Sequence, residues 1–393
     1  MKITEIECVP ISLPLKGQPG RLNDLLMIKI HTDEGITGIG DGGLVNQDIV
    51  TMMVKSWAPV LIGADPLDTG KIMSRLSGAI HAIWGMSYPA AVASVDYALW
   101  DLKGKALNQP VYQLLGGKQV EKLRFNYFLS GGDTADRVKR AEEAVAGGVK
   151  SLGLKATGFG GGGISTETDL ANVKAVREAV GYDVELSIDY NASLDYWTAL
   201  RFGQQVEEYD LFKYEQPVAW YDIDGLANLR KKLNIPICSH ESTVLVTGLV
   251  DVIKKDAVDI LGTKLSSAGG LTAGVQWAKI AKTTNLGMYC GGMNGLWEAA
   301  AQAHWLCSEA EFGLQSQASF FPVSLYGTFD TTQPTDIDIV NNPMKYKDGY
   351  FWPPEGPGLG LELNEQALPK YITQGKSTIT IGEKERAEGR FFG

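Results

Sequence analysis

Histidine and cysteine are scarce in this chain: 393 residues hold four of each. So few histidines exclude a centre built from several imidazoles, such as a multi-histidine zinc site. The cysteines, Cys8, Cys238, Cys290 and Cys307, are scattered without the paired spacing of metal ligands, and read as reduced core residues of a cytoplasmic protein. No basic run interrupts a net charge of −10, so nucleic acid is not an expected partner. No apolar run approaches a membrane span, and MKITEIECVPISLPL alternates like a strand where a signal peptide would have a continuous apolar core. No Gly-x-Gly-x-x-Gly follows the first strand, which leaves a dinucleotide site without support. GFGGGG at 158–163 has no Lys-Ser/Thr after it and reads as a flexible loop, not a phosphate cradle.

What remains is ordinary globular composition, 44% hydrophobic and 21% charged, in a chain long enough for two domains. Residues 1–40 read as strands, with LLMIKIHTDEGITGIGD forming a hairpin about a polar turn at Thr32–Gly35. From about 47 to 115 the pattern is helical, punctuated by Pro110 and stopped by Gly116 and Gly117. After Lys122 short apolar strands alternate with helices, from RFNYFLS and TADRVKRAEEAVAGG onward to GMYCGG and EFGLQSQ. Repeated β–α units of this length predict a parallel sheet, and seven or eight in a row favour closure into a barrel. The expected class is α/β: an α+β capping domain over 1–122, a modified (β/α)7–8 barrel over 123–345, and a segment over 346–393 that returns to the cap.

Chemistry in such barrels sits at the carboxyl ends of the strands. Five consecutive strands each end on one charged residue: Lys155 in GLKAT, Asp189 in SIDYN, Glu215 in KYEQP, Glu241 in CSHES and Lys264 in GTKLS. Three carboxylates brought to one mouth repel at low dielectric unless a cation sits among them. Oxygen ligands with room for water and substrate suit Mg²⁺, so Asp189, Glu215 and Glu241 are the expected metal ligands. Strands two and six of a barrel face each other, which places Lys155 and Lys264 on two sides of a bound substrate. A nearby divalent cation and partial burial lower an ammonium pKa, fitting either lysine to act as base or conjugate acid. The reaction that needs this set is removal of a proton next to a carboxylate, whose developing charge a metal stabilises.

These residues resemble the enolase superfamily, and within it the mandelate racemase and muconate-lactonising enzymes. The resemblance spans nearly the whole chain. SVDYALWDLKGKALNQPVYQLLGG is similar to the family's last cap helix, and PPEGPGLGLELNE (353–365) to the stretch after its barrel. It implies that Lys155 is the second lysine of a Lys-x-Lys motif, that Asp189 and Glu215 are Mg²⁺ ligands, and that Asn191 completes an Asp-x-Asn beside them. It implies that Lys264, before SSAGG, is the sixth-strand lysine of the muconate-lactonising branch. A small carboxylate substrate and a homo-oligomer follow from the same likeness.

Four positions depart from the pattern. Gly153 replaces the first lysine of Lys-x-Lys. His240 stands where the lactonising branch has an aspartate ligand; Glu241 is favoured as third ligand because Mg²⁺ prefers oxygen, with His240 as the alternative. Gly295 replaces an acidic residue on the seventh strand, and Glu298, one turn on, is expected to be structural. GLQSQ lacks the Asp-x-Asp that looks diagnostic of dipeptide epimerases. Two opposed lysines permit racemisation or epimerisation, cycloisomerisation, or dehydration of a hydroxy acid, and a non-catalytic metal-binding barrel is the reading from another class. Racemase/epimerase or cycloisomerase is the favoured expectation. Specificity is expected from the cap loops, with Arg21 and Trp84 as candidate substrate contacts alongside Asn191 and His240.

Overall fold

The computed structural model describes residues 1–15, 22–43, 46–78, 87–159, 163–243, 246–292, 295–309, 315–317, 325–326, 328–332 and 335–388. Two sheets organise it. The first is antiparallel and built from β1 (Ile3–Pro14), β2 (Leu22–Thr32) and β3 (Thr37–Gly43), with β14 (Ile379–Ile381) added at the edge of β1. Apolar side chains of β1 and β2, among them Ile6, Cys8, Ile28 and Ile30, are fully buried on one face. Gly35, at φ +76°, allows the tight turn between β2 and β3. The C-terminal region therefore reaches back to the cap, with Ile381 opposite Ile6.

Helix Ser87–Ala106 lies directly on β3. A Cβ at Gly40 would stand 2.2 Å from the Ser94 carbonyl oxygen, so only glycine permits this approach. Most described side chains of this helix are buried, because it lies between the cap sheet and the second sheet's helices.

The second sheet is parallel and closed. Its strands are β4 (Leu123–Leu129), β5 (Ser151–Lys155), β6 (Glu185–Asp189), β7 (Lys213–Glu215), β8 (Ile237–Ser239), β9 (Ile260–Thr263), β10 (Gly287–Cys290) and β11 (Gln315–Gln317). Each pairs with the next, and β11 pairs with β4 through Ser316 opposite Phe125. Two short strands, β12 (Tyr346–Lys347) and β13 (Tyr350–Phe351), form a hairpin whose second strand runs antiparallel to the start of β4. In an eight-stranded closed sheet β5 and β9 stand opposite each other. All four cysteines are buried and free. Among the described residues no helix is long and apolar enough to cross a membrane.

Buried aspartates lock cap to barrel. Asp41 of β3 accepts the N–H groups of Leu296, Trp297 and Glu298, the first turn of helix Leu296–Glu309. Asp96 accepts from the Thr272 N–H and hydroxyl at the start of helix Leu271–Thr283. Asp101 accepts from Ile39 of the cap and from Leu359 of the C-terminal region. The first of these contacts explains Gly295: a Cβ there would stand 2.3 Å from the Asp41 carboxylate. Glu298 is fully buried and donates its N–H to this cap.

Candidate active site

The strand register assembles the site. Lys155, Asp189 and Glu215 lie in one row across β5, β6 and β7, each the last residue of its strand. Period-two alternation then turns Lys213, two residues before Glu215, to the same side. All four side chains are nearly or fully buried. Lys155 Nζ donates to Asp189 Oδ2, and Lys213 Nζ donates to Glu215 Oε2. Phe128 and Phe159 flank Lys155, with ring centroids 4.8 and 4.9 Å from its Nζ.

Left-handed turns carry the chain away from these strand ends. Asn191 and Ala192 follow β6 at φ +47° and +64°, and Gln216 follows β7 at φ +33°. The Asn191 N–H donates to Asp189 Oδ1 at 2.8 Å. Its side-chain oxygen accepts from Lys155 at 3.1 Å, and its Nδ2 donates to Glu241 Oε1 at 2.9 Å. Gln216 shapes the loop after β8: its Oε1 accepts from the N–H groups of His240 and Ser242, and its Nε2 donates to the Ser242 hydroxyl. The amide thereby aims His240 and Glu241 toward β7.

Three buried atoms converge there without a hydrogen-bond partner: Glu215 Oε1, His240 Nδ1 and Glu241 Oε2. His240 Nδ1 lies 3.0 Å from Glu215 Oε1, off hydrogen-bond geometry, and 3.9 Å from Glu241 Oε2. Buried polar atoms left so are costly unless something joins them. Asp189, Glu215 and His240 each offer one ligand atom within 4.8 Å of the others, close enough to share an ion. Glu241 is outside that tight set; Asn191 holds one of its oxygens, and the other lies 3.9 Å from His240 Nδ1. The donor set thus fits a divalent cation. A second cluster, Glu5, Glu7 and His31, is half-exposed on the cap sheet, where Lys29 already lies 3.8 Å from Glu7.

The ionisation of the mouth follows from its charges. Burial raises the Asp189 carboxyl, the Glu215 carboxylate raises it further, and Lys155 works against both. Burial also opposes the charged form of Glu215, but Lys213, His240 and Lys155 outweigh it and hold its pKa well below the usual carboxylate range. For Lys155 burial acts downward, yet Asp189 and Glu215 raise its pKa. Without a cation the site therefore keeps Lys155 protonated, the reverse of the direction expected with a cation present.

Lys264 immediately follows β9 and caps the short helix Leu265–Ala268, half-buried. The strand it follows stands opposite that of Lys155. Arg21 and Trp84 lie outside the described residues, as do most of the cap loops that carry them. Sequence reasoning missed Lys213 and Gln216. Both sit in KYEQ, where strand periodicity turns Lys213 to the side of Glu215.

Residues 136–367 match the family described as enolase C-terminal domain-like, and residues 10–116 match the N-terminal domain of mandelate racemase / muconate lactonizing enzyme. An N-succinyl-L-Arg/Lys racemase from Bacillus cereus is 30% identical over 94% of this chain and 97% of its own. The crystal structure of a mandelate racemase/muconate lactonizing family protein from Azoarcus sp. EbN1 superposes with a TM-score of 0.88 at 36% identity, covering 97% of this chain and 100% of that one. The muconate lactonizing enzyme of Pseudomonas putida does so with a TM-score of 0.84 at 25% identity, covering 94% and 99%. The chain belongs to the mandelate racemase/muconate-lactonising family of the enolase superfamily, and is an enzyme of its α-proton chemistry.

Proposed function

We propose that this enzyme racemises or epimerises a small carboxylate by a two-base reaction at a Mg²⁺ centre. The observation that carries the reading is the convergence of unsatisfied buried ligand atoms from Glu215, His240 and Glu241 beside Asp189, next to Lys155 and across the barrel from the strand that Lys264 follows. Asp189, Glu215 and Glu241 would hold the ion by oxygen, and His240 is the nitrogen alternative. Mg²⁺ bound there supplies positive charge against the negative charge that builds on the substrate carboxylate as its α-proton leaves.

Lys155 takes or returns the proton on one face, and Lys264 does so on the other. Asn191 and Asp189 hold the Lys155 amine in place through its hydrogen bonds. Once an ion shares the charge of Asp189 and Glu215, those carboxylates stop raising the Lys155 pKa, which fits the amine to act as base. The named activity of the Bacillus cereus relative supports an N-acylated amino acid as the first substrate class to test. Cycloisomerisation is the second reading, supported by the likeness to the Pseudomonas putida enzyme. The family likeness also supports a cytoplasmic homo-oligomer.

Proton NMR in D₂O with Mg²⁺ tests this over N-acyl amino acids, hydroxy acids, sugar acids and muconolactones. Loss of an α-proton signal without a new product is the expected result. A new product identifies elimination or cycloisomerisation and overturns the racemase reading. No change across the set, with Mg²⁺ bound, moves the assignment to a substrate outside the set or to a non-catalytic barrel.

A further inference from the structure

Beside the proposed metal ligands, Lys213 has no part in the proton transfer itself. Lys213 is fully buried, although free lysine is among the costliest side chains to bury. It shares a row with Gly153 of β5 and Ser187 of β6, two residues before the row of Lys155, Asp189 and Glu215. Its ammonium touches Glu215 Oε2 and lies 3.8 Å from the ring centroid of Tyr289, on β10. No side chain stands on β5 in that row, and a Cβ at Gly153 would meet the Phe128 ring at 2.6 to 2.8 Å, so that ring would have to move to admit one. The positive charge of this layer is therefore carried by β7, directly behind the metal-facing carboxylate.

We propose that Lys213 is a positioning residue of the metal centre, a built-in counter-cation that claims one oxygen of Glu215 and competes by charge with the bound ion. The geometry sets the division: Oε2 belongs to Lys213, while Oε1 faces His240 and the ion site. Asp189, Glu215 and Glu241 carry three negative charges and Lys155 and Lys213 two positive ones, which leaves a net charge of −1 for an arriving cation. Removing Lys213 leaves −2. Two consequences follow. The metal-free site loses the ion pair that compensates buried Glu215, and an ion binds more tightly because one like charge is gone.

The inference rests on the metal reading, and the test separates the two. Mg²⁺ and Mn²⁺ affinities are measured by calorimetry and by Mn²⁺ electron paramagnetic resonance for the wild type and Lys213→Met, with Tm recorded with and without saturating Mg²⁺. The expected result is a Kd lower by ~10-fold or more in the variant, together with a lower metal-free Tm and a larger rise on adding Mg²⁺. A lysine that only fills space would lower both Tm values alike and leave Kd unchanged; that outcome, or a weaker Kd, overturns the proposal. A wild type that binds neither ion removes the metal reading and the inference with it. Lys213→Gln, which drops the charge but keeps a donor for Glu215, replaces the methionine variant if the latter does not fold.

Discussion

Two regions of this molecule bury carboxylates on different kinds of partner. Where cap meets barrel, Asp41 and Asp96 are satisfied by backbone N–H groups at helix starts, with a threonine hydroxyl on Asp96. At the barrel mouth, Asp189 and Glu215 face ammonium groups, and Glu215 Oε1 has no hydrogen-bond donor at all. Peptide dipoles fixed in a helix cannot be exchanged for a ligand, so the first arrangement is permanent. Ion pairs beside an unsatisfied oxygen can be rearranged when a cation and substrate arrive, which is what a working site requires. The same residue type thus holds the fold in one place and is kept available in the other.

The contrast can be broken most severely at the mouth. Glu215→Gln and Asp189→Asn are expected to slow α-proton exchange by more than ~1,000-fold and to abolish the Mg²⁺ dependence of the rest; unchanged Mg²⁺ binding would remove the ligand assignment. Lys155→Ala and Lys264→Ala should each lose ~100- to 1,000-fold in exchange from one enantiomer only. Equal loss from both enantiomers would leave one base and one structural lysine. At the cap, Asp96→Ala is expected to lower stability by ~2 kcal/mol by orphaning the Thr272 N–H, while Mg²⁺ affinity is unchanged; urea unfolding and calorimetry report the two effects separately.

The smallest effect concerns pH. Burial raises the Asp41 carboxyl from 3.8 to about 6, against the three N–H groups that lower it. A group raised on folding contributes stability in full below its unfolded pKa and loses it as pH rises through the folded one. The stability of wild type relative to Asp41→Asn should therefore fall by about 1 kcal/mol between about pH 5 and pH 8. Unfolding midpoints at the two pH values check the sign, and a flat difference would show that the N–H groups keep Asp41 charged throughout.

Much of the mouth was legible because a barrel strand repeats a simple rule: one residue per strand end, every β–α unit. That rule pointed to Lys155, Asp189 and Glu215, which end β5, β6 and β7, and to Glu241 and Lys264, which lie just past β8 and β9; alternation pointed to the strands themselves. The turn that carries Glu241 was not legible, because β8 ends at Ser239 and the next residues are shaped by Gln216, a tertiary contact with no local signal. Gly153 and Gly295 stand out in the sequence as departures from the family pattern. Each is a matter of space, with Phe128 occupying the first position and Asp41 the second. Lys213 was missed although periodicity sets it on the side of Glu215, and its burial against Tyr289 across the barrel is a tertiary contact.

Anomalous diffraction from crystals soaked in Mn²⁺ tests the distinction between the two kinds of carboxylate most directly. The account predicts one strong peak within ligand distance of Asp189 and Glu215, completed by Glu241 or His240, and none at Asp41, Asp96 or the half-exposed Glu5, Glu7 and His31 cluster. An empty mouth, or a peak on the cap sheet instead, would contradict it.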